Sequence, residues 1–190
     1  MRAFIALELS PQLRETLKTL SEDLRKKRGI KGKWVPPANI HITLRFLGNI
    51  TGDQEKAISS LLEEVAKATR PIPISLEGLG AFPNPARPRV LWVGVKEGAE
   101  ALERVHGKLE EGLSRLGFPP DDKAFKPHLT LARFKNPNLE VRRRVHAACR
   151  DMGDRPWGEM EVKAIVLYES ILSPHGAKYR KVKEVPLGGL

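Results

Sequence analysis

With a single cysteine the chain cannot close an internal disulfide, and Cys149 sits in "RVHAACRD", a helical pattern that suits a small buried thiol. No apolar run approaches the roughly 18 residues that a membrane span needs. The opening "MRAFIALELSP" lacks the apolar core and cleavage site of a secretory signal. A cytoplasmic, monomeric protein without a membrane partner is expected. The five histidines include no His-x-His and no His-Glu-x-x-His, and there is no cysteine pair, so the pattern of a zinc site is missing and neither metal nor other cofactor is anticipated. Short-period repeats and low-complexity segments are also missing, as is any composition break that would mark a linker. Residues 1–190 therefore read as one unit, and at 41% hydrophobic residues that length can bury a sizeable core.

Carboxylates are the scarcer charge. Asp and Glu number 23 against 33 Lys and Arg, a net charge of +10. The surplus is gathered in "RKKRGIKGK" (25–33), "RRR" (142–144) and "KYRKVK" (178–183). Each run alone reads as a solvated helix end or a blunted sheet edge. Together they favour a nucleic-acid or phosphate ligand over a cationic one, with the runs at 25–33 and 178–183 expected to line its approach.

The hydrophobic periods predict alternating elements. "RAFIALEL" reads as a strand, and Ser10 with Pro11 opens a helix whose face carries Leu13, Leu17, Leu20 and Leu24 and which stops near Gly29. Thr51 and Gln54 form a capping box for a second helix bearing Ile58, Leu61, Leu62 and Val65. "PISLEGLG" and "VLWVGV" read as strands joined by a proline-rich loop, "AFPNPARPR". A third helix spans about Glu97 to Leu116, Asn136 and Pro137 open a fourth, and "MEVKAIVLYES" and "KYRKVKEV" are closing strands. The result is an interleaved α+β chain whose order suggests two similar lobes.

Two stretches echo one another: "NIHITLRFLGNI" (39–50) and "AFKPHLTLARFK" (124–135). Side chains alternate along a strand, so His41 and Thr43 share one face while Ile42 and Leu44 anchor the other, and His128 with Thr130 repeats the arrangement. If two lobes bring the echoes face to face, two imidazoles and two hydroxyls surround one small ligand. In-line displacement at phosphorus needs a base on the attacking oxygen and an acid on the leaving one, and imidazoles do either near neutral pH. Hydroxyls and an arginine would hold the non-bridging oxygens. His106, His146 and His175 fall in helical or turn patterns and read as surface or helix residues.

On these residues the chain resembles the two-histidine phosphoesterases, whose hallmark is a pair of His-x-Thr/Ser-hydrophobic motifs. Within them it is similar to the bacterial and archaeal RNA 2′,3′-cyclic phosphodiesterases, also called 2′-5′ RNA ligases. The likeness runs through "RAFIALEL", "HITLRFLG", "GLGAFPNPARPRVLWVGV", "PHLTLAR" and "LYESILSPHGAKY". It implies two pseudo-symmetric lobes of antiparallel sheet with helices outside, around a cleft carrying both motifs. It also implies hydrolysis of a terminal 2′,3′-cyclic phosphate on RNA, tRNA fragments included, to a 2′-phosphomonoester, with reversible 2′-5′ joining of tRNA halves in some members. Carried over by motif, His41 is the general acid and His128 the general base. Thr43 and Thr130 hold phosphate oxygens, and Arg133 adds a cation. Strict alternation puts Arg133 on the face opposite His128, so it reaches the phosphate only if its strand bends or bulges. The spacing itself does not assign acid and base. The alternatives are the same fold acting on ADP-ribose cyclic phosphate or a cyclic nucleotide, and a module that binds RNA ends or nucleotides without turnover.

Because acid, base and phosphate ligands are all side chains here, hydrolysis of a 2′,3′-cyclic phosphate should persist in excess chelator. Activity lost to EDTA and restored by zinc, magnesium or manganese would remove the mechanism.

Overall fold

Local signals place most element boundaries. In the computed structural model, which describes residues 1–188, apolar residues make β1 (Arg2–Leu7), and the Ser10 hydroxyl accepts the Leu13 amide to cap α1 (Pro11–Glu22). A π-helical turn over Asp23–Lys27 follows before Gly29, at φ +63°, ends the run. Then come β2 (Lys33–Trp34), a 3₁₀ turn over Pro37–Asn39 and β3 (Ile42–Asn49). The capping box forms: Thr51 Oγ1 accepts the Gln54 amide while Gln54 Oε1 accepts the Thr51 amide, opening α2 (Gly52–Lys67).

Three expectations about elements are corrected. The proline-rich "loop" is strand: β4 (Ile72–Asn84) and β5 (Arg87–Val95) run through it to a tight turn closed by Asn84 Oδ1, which accepts the amides of Ala86 and Arg87. Pro83 stands opposite Pro88. Proline lacks a donor but adopts extended backbone readily, so losing that donor does not end the strand. After α3 (Ala99–Arg115) and β6 (His128–Arg133), the next helix, α4 (Leu139–Met152), starts later than Asn136. Asn136 sits at φ +50°, and Asn138 is the cap, its Oδ1 accepting the Val141 amide. Finally, "MEVKAIVLYES" is two strands, β7 (Pro156–Val162) and β8 (Ala164–Ser173), separated at Lys163, and β9 (Gly176–Pro186) closes the chain. Period-2 alternation runs through Lys163 unbroken, so only the choice of partners reveals the split.

All pairings are antiparallel, in one curled sheet of order β7-β4-β5-β6-β3-β1-β8-β9, with β2 also on β6. It has two halves, β6-β5-β4-β7 and β3-β1-β8-β9, joined where Ile42 pairs with Leu129. One half comes from the contiguous middle of the chain and the other from its two ends. The hairpin β4–β5 and the later β6 and β7 build one half; β1, β3 and the late β8 and β9 build the other. The apolar stripes of the four helices, such as Leu17, Ile58, Leu109 and Val145, bury one face of the sheet together with Ile5, Ile42, Leu129 and Leu167. The opposite face is open and carries a small cluster of Phe4, Ala6, Val166 and Tyr168. No helix among the described residues is long and apolar enough to cross a membrane.

One buried ion pair ties the first motif strand to the segment before the second. Arg45, 7% exposed, donates to Glu110 Oε1 of α3 at 2.7 Å and to the Pro119 carbonyl, while Glu110 Oε2 accepts the Asp121 amide. His106 on α3 is a helix residue with its ring largely covered, stacked on Phe125 at 4.2 Å, whereas His146 and His175 are exposed. Cys149 is buried, and burial pushes its thiol up to about 11, as suits an inert core cysteine.

Leu129 is fully buried at the junction of the halves. Leu129→Ala should lower unfolding stability by about 2–5 kcal/mol, and Thr51→Ala by about 1 kcal/mol, read from urea titrations. A Leu129 variant no less stable than the Thr51 variant would mean that the junction is not a packed part of the core.

Candidate active site

The two echoes lie side by side on neighbouring strands of one sheet. Ile42 and Leu129 pair directly and point into the helix-covered core, at 1% and 0% exposure. In an antiparallel pair, residues opposite one another share a face. The residues flanking this bridge therefore emerge on the open face, with His41 toward Thr130 and Thr43 toward His128. The other neighbours agree: Thr43 pairs with Ala6, and His128 and Thr130 pair with Gly94 and Trp92. His41 is buried, and the other three are half-buried.

Arg133 also reaches this face. In the β5–β6 ladder Leu91 pairs with Ala132 but Trp92 with Thr130, so Leu131 is an extra residue on β6. This bulge turns both Leu131 and Ala132 inward, each fully buried, and brings Arg133 opposite Val90, on the same side as Thr130. The first motif is built alike. Ile5 pairs with Arg45 and Ala6 with Thr43, which leaves Leu44 as the extra residue. Arg45 is thereby sent to the core side, and Phe46, opposite Phe4, to the open face, where it is 65% exposed. Phe46 and Arg133 thus hold matching places, each five residues beyond its histidine.

Both imidazoles are held by the same device. His41 Nδ1 lies 3.1 Å from the Asn39 carbonyl and His128 Nδ1 2.6 Å from the Lys126 carbonyl. A carbonyl only accepts, so each Nδ1 carries the hydrogen, and in the neutral ring Nε2 presents a lone pair. When protonated, the same Nε2 becomes a donor. Each histidine can therefore serve as base or acid through one atom. Arg14 fixes the turn before His41: its Nη1 donates to the carbonyls of Pro37 and Ile40 at 2.5 and 3.1 Å. Beside the second histidine, Lys126 lies 4.9 Å from the Trp92 ring, which itself rests on Gly80 so closely that a Cβ there would collide with the indole.

An aromatic ring lies against each imidazole at an equivalent position. Phe4, two residues from the partner of Thr43, pairs with Tyr168, whose ring is 4.7 Å from His41. Val90, two residues from the partner of Thr130, pairs with Phe82, 5.0 Å from His128 and edge-on. Burial against these rings lowers both histidines. His41 falls to about 4, through burial first and the Arg14 charge second. His128 is lowered by burial, with Arg133 and Lys126 adding to the effect.

The basic runs are divided rather than pooled. Lys178 and Lys181 line a cavity beside His41. An extra residue at Val182 on β9 turns Lys183 to the other side, where it pairs with Glu63 of α2 at 2.8 Å. Lys183 therefore does not line the approach. Of the 25–33 run, Lys33 stands opposite Arg133, while Lys27 and Arg28 pair with Asp23 and Asp151. The sequence reading did not find Phe46, Arg14, Tyr168 or Phe82. Aligning the echoes past their leucines would have shown Phe46 and Arg133 at one offset. The other three come from distant strands and a helix, and carry no local signal. Among the described residues, no group of three or more His, Cys, Asp or Glu side chains is arranged to hold a metal ion.

The paired motifs have counterparts in known proteins. The model for LigT-like phosphoesterases matches the chain twice, over residues 7–92 and 93–179, with one histidine motif in each span. An RNA 2′,3′-cyclic phosphodiesterase of Archaeoglobus fulgidus is 42% identical over 96% of this chain and 98% of its own length. One of Aquifex aeolicus is 37% identical over 100% and 98%. A crystal structure of a Thermus thermophilus protein superposes with a TM-score of 0.81 at 31% identity, covering 100% of this chain and 99% of that one. With the motif duplicated in sequence, repeated in the sheet and matched along nearly the whole length, the chain belongs to the LigT-like phosphoesterase family.

Proposed function

We propose that this protein opens a terminal 2′,3′-cyclic phosphate of RNA to a 2′-phosphomonoester. The observation that carries this reading is the arrangement about the Ile42–Leu129 bridge, where two imidazoles with free Nε2 atoms and two threonines share one open face. His128 Nε2 takes a proton from water as its oxygen bonds to phosphorus. The bond from phosphorus to O3′ breaks, and protonated His41 delivers its Nε2 proton to the leaving oxygen. Thr43, Thr130 and Arg133 hold the non-bridging oxygens, where negative charge accumulates. Proton exchange with solvent then resets the pair. If the 5′-hydroxyl of a second RNA replaces water, the same steps make a 2′-5′ linkage, and by microscopic reversibility the same two groups with their roles exchanged cleave it.

RNA fits the surroundings. Lys33, Lys178 and Arg133 add cations at the rim, and the exposed Phe46 ring offers a face on which a nucleobase can stack. In its fullest form the reading is of a monomeric cytoplasmic enzyme, one bilobal unit over residues 1–190, that acts on tRNA fragments.

The depressed histidines set the expected pH profile. A base must be neutral and an acid protonated, so kcat/KM is bell-shaped with limbs that belong to the coupled pair. Both groups are lowered in the free enzyme, so both limbs should lie below the ordinary imidazole value of 6.5. A bound phosphate anion raises both, so the kcat profile should sit to the alkaline side of the kcat/KM profile. A kcat/KM that keeps rising above neutrality contradicts the assignment. Replacing either histidine by alanine should cut kcat by about 10²-fold or more, and near-normal turnover would reduce that histidine to a packing role.

A further inference from the structure

The mechanism above uses only His41 from the cavity beside it. This cavity, about 470 Å³, is also walled by Arg14, Asn39, Tyr168, Lys178 and Lys181, with Glu8 as its acidic member. Glu8 is already neutralised, its Oε2 lying 2.6 Å from Lys181 Nζ. Lys178 is exposed and has no ion-pair partner among the described residues, and neither has Arg14, which spends one nitrogen on backbone carbonyls. The wall therefore holds two uncompensated cations. Tyr168 adds a hydroxyl that burial keeps protonated, up to about 12, and therefore able to donate.

Ribose stereochemistry states what enters such a cavity. O3′ is bonded to C3′, and C3′ to C4′, which bears C5′, O5′ and the preceding phosphodiester of the strand. The base hangs instead from C1′, next to C2′. An imidazole serving the 3′-oxygen therefore has the 5′-phosphate on its own side of the sugar, with the base on the other. We infer that the cavity beside His41 is a binding subsite for the phosphodiester on the 5′ side of the terminal nucleotide, held by Arg14 and Lys178. This rests on the reading that His41 serves the 3′-oxygen of a cyclic phosphate. It means that the enzyme prefers an end that belongs to a strand over a free nucleoside cyclic phosphate.

The test compares adenosine 2′,3′-cyclic phosphate with the same compound bearing a methyl phosphodiester at O5′. Charge-assisted hydrogen bonds to one phosphate correspond to about a tenfold gain in kcat/KM for the second substrate, expressed mainly in KM. Lys178→Gln should bring the ratio of the two kcat/KM values close to one. Lys67→Gln, an equal change of charge at the exposed end of α2, should leave the ratio as in the unaltered protein. A ratio of one in the unaltered protein, with the plain substrate turned over, overturns the subsite and leaves the phosphodiesterase reading standing. Failure to hydrolyse either compound overturns that reading itself. A ratio lowered equally by Lys67→Gln overturns the subsite in favour of diffuse charge.

Discussion

One antiparallel contact, between Ile42 and Leu129, decides what this sheet can do. Both side chains are sealed in the core, so the residues on either side of each are compelled to the open face by the two-residue period of a strand. A slip of one residue in either strand would bury the imidazoles and threonines and expose the aliphatics. Such a slip is strongly disfavoured because both strands are tied on their other sides, β3 to β1 and β6 to β5. The geometry of the site is thus held by apolar packing that never touches a ligand.

Bulges do the rest of the aiming. At Leu44, Leu131 and Val182 an extra residue reverses the parity of a strand, and each reversal sorts charged or aromatic groups between solvent and core. Arg133 and Phe46 are brought onto the open face, while Arg45 and Lys183 are sent to the helix side, where Glu110 and Glu63 meet them. The same sheet that exposes the imidazoles partly desolvates them. Burial favours the neutral ring, which prepares a base, and an anion between the rings supplies the field that a protonated acid needs.

The histidine–threonine pairs were legible because their spacing and their sheet face follow from one rule. So were the Thr51–Gln54 cap and the apolar helix stripes, which depend on neighbours close in sequence. Arg133 lay beyond that rule: strict alternation argued against it, and the bulge that rescues it is fixed by how β6 meets β5. The breaks misread in the sequence were of two kinds. The prolines at 83 and 88 looked like punctuation but sit opposite one another in a ladder. The stretch around Lys163 looked continuous but changes partners, with β7 on β4 and β8 on β1. Residues such as Arg14 and Tyr168 act on a histidine only through tertiary packing, which no local pattern encodes.

The two family repeats do not coincide with the two halves of the sheet. Residues 7–92 supply β3 to one half and β4 to the other, and residues 93–179 divide β6 and β8 in the opposite sense. Cutting the polypeptide at the repeat boundary, inside β5, would yield two pieces with one motif histidine each and no finished layer in either. The duplication is therefore legible as heredity but not as architecture: a lone repeat has nothing to close against except another repeat, and swapping one repeat between relatives would replace strands on both sides of the cleft at once.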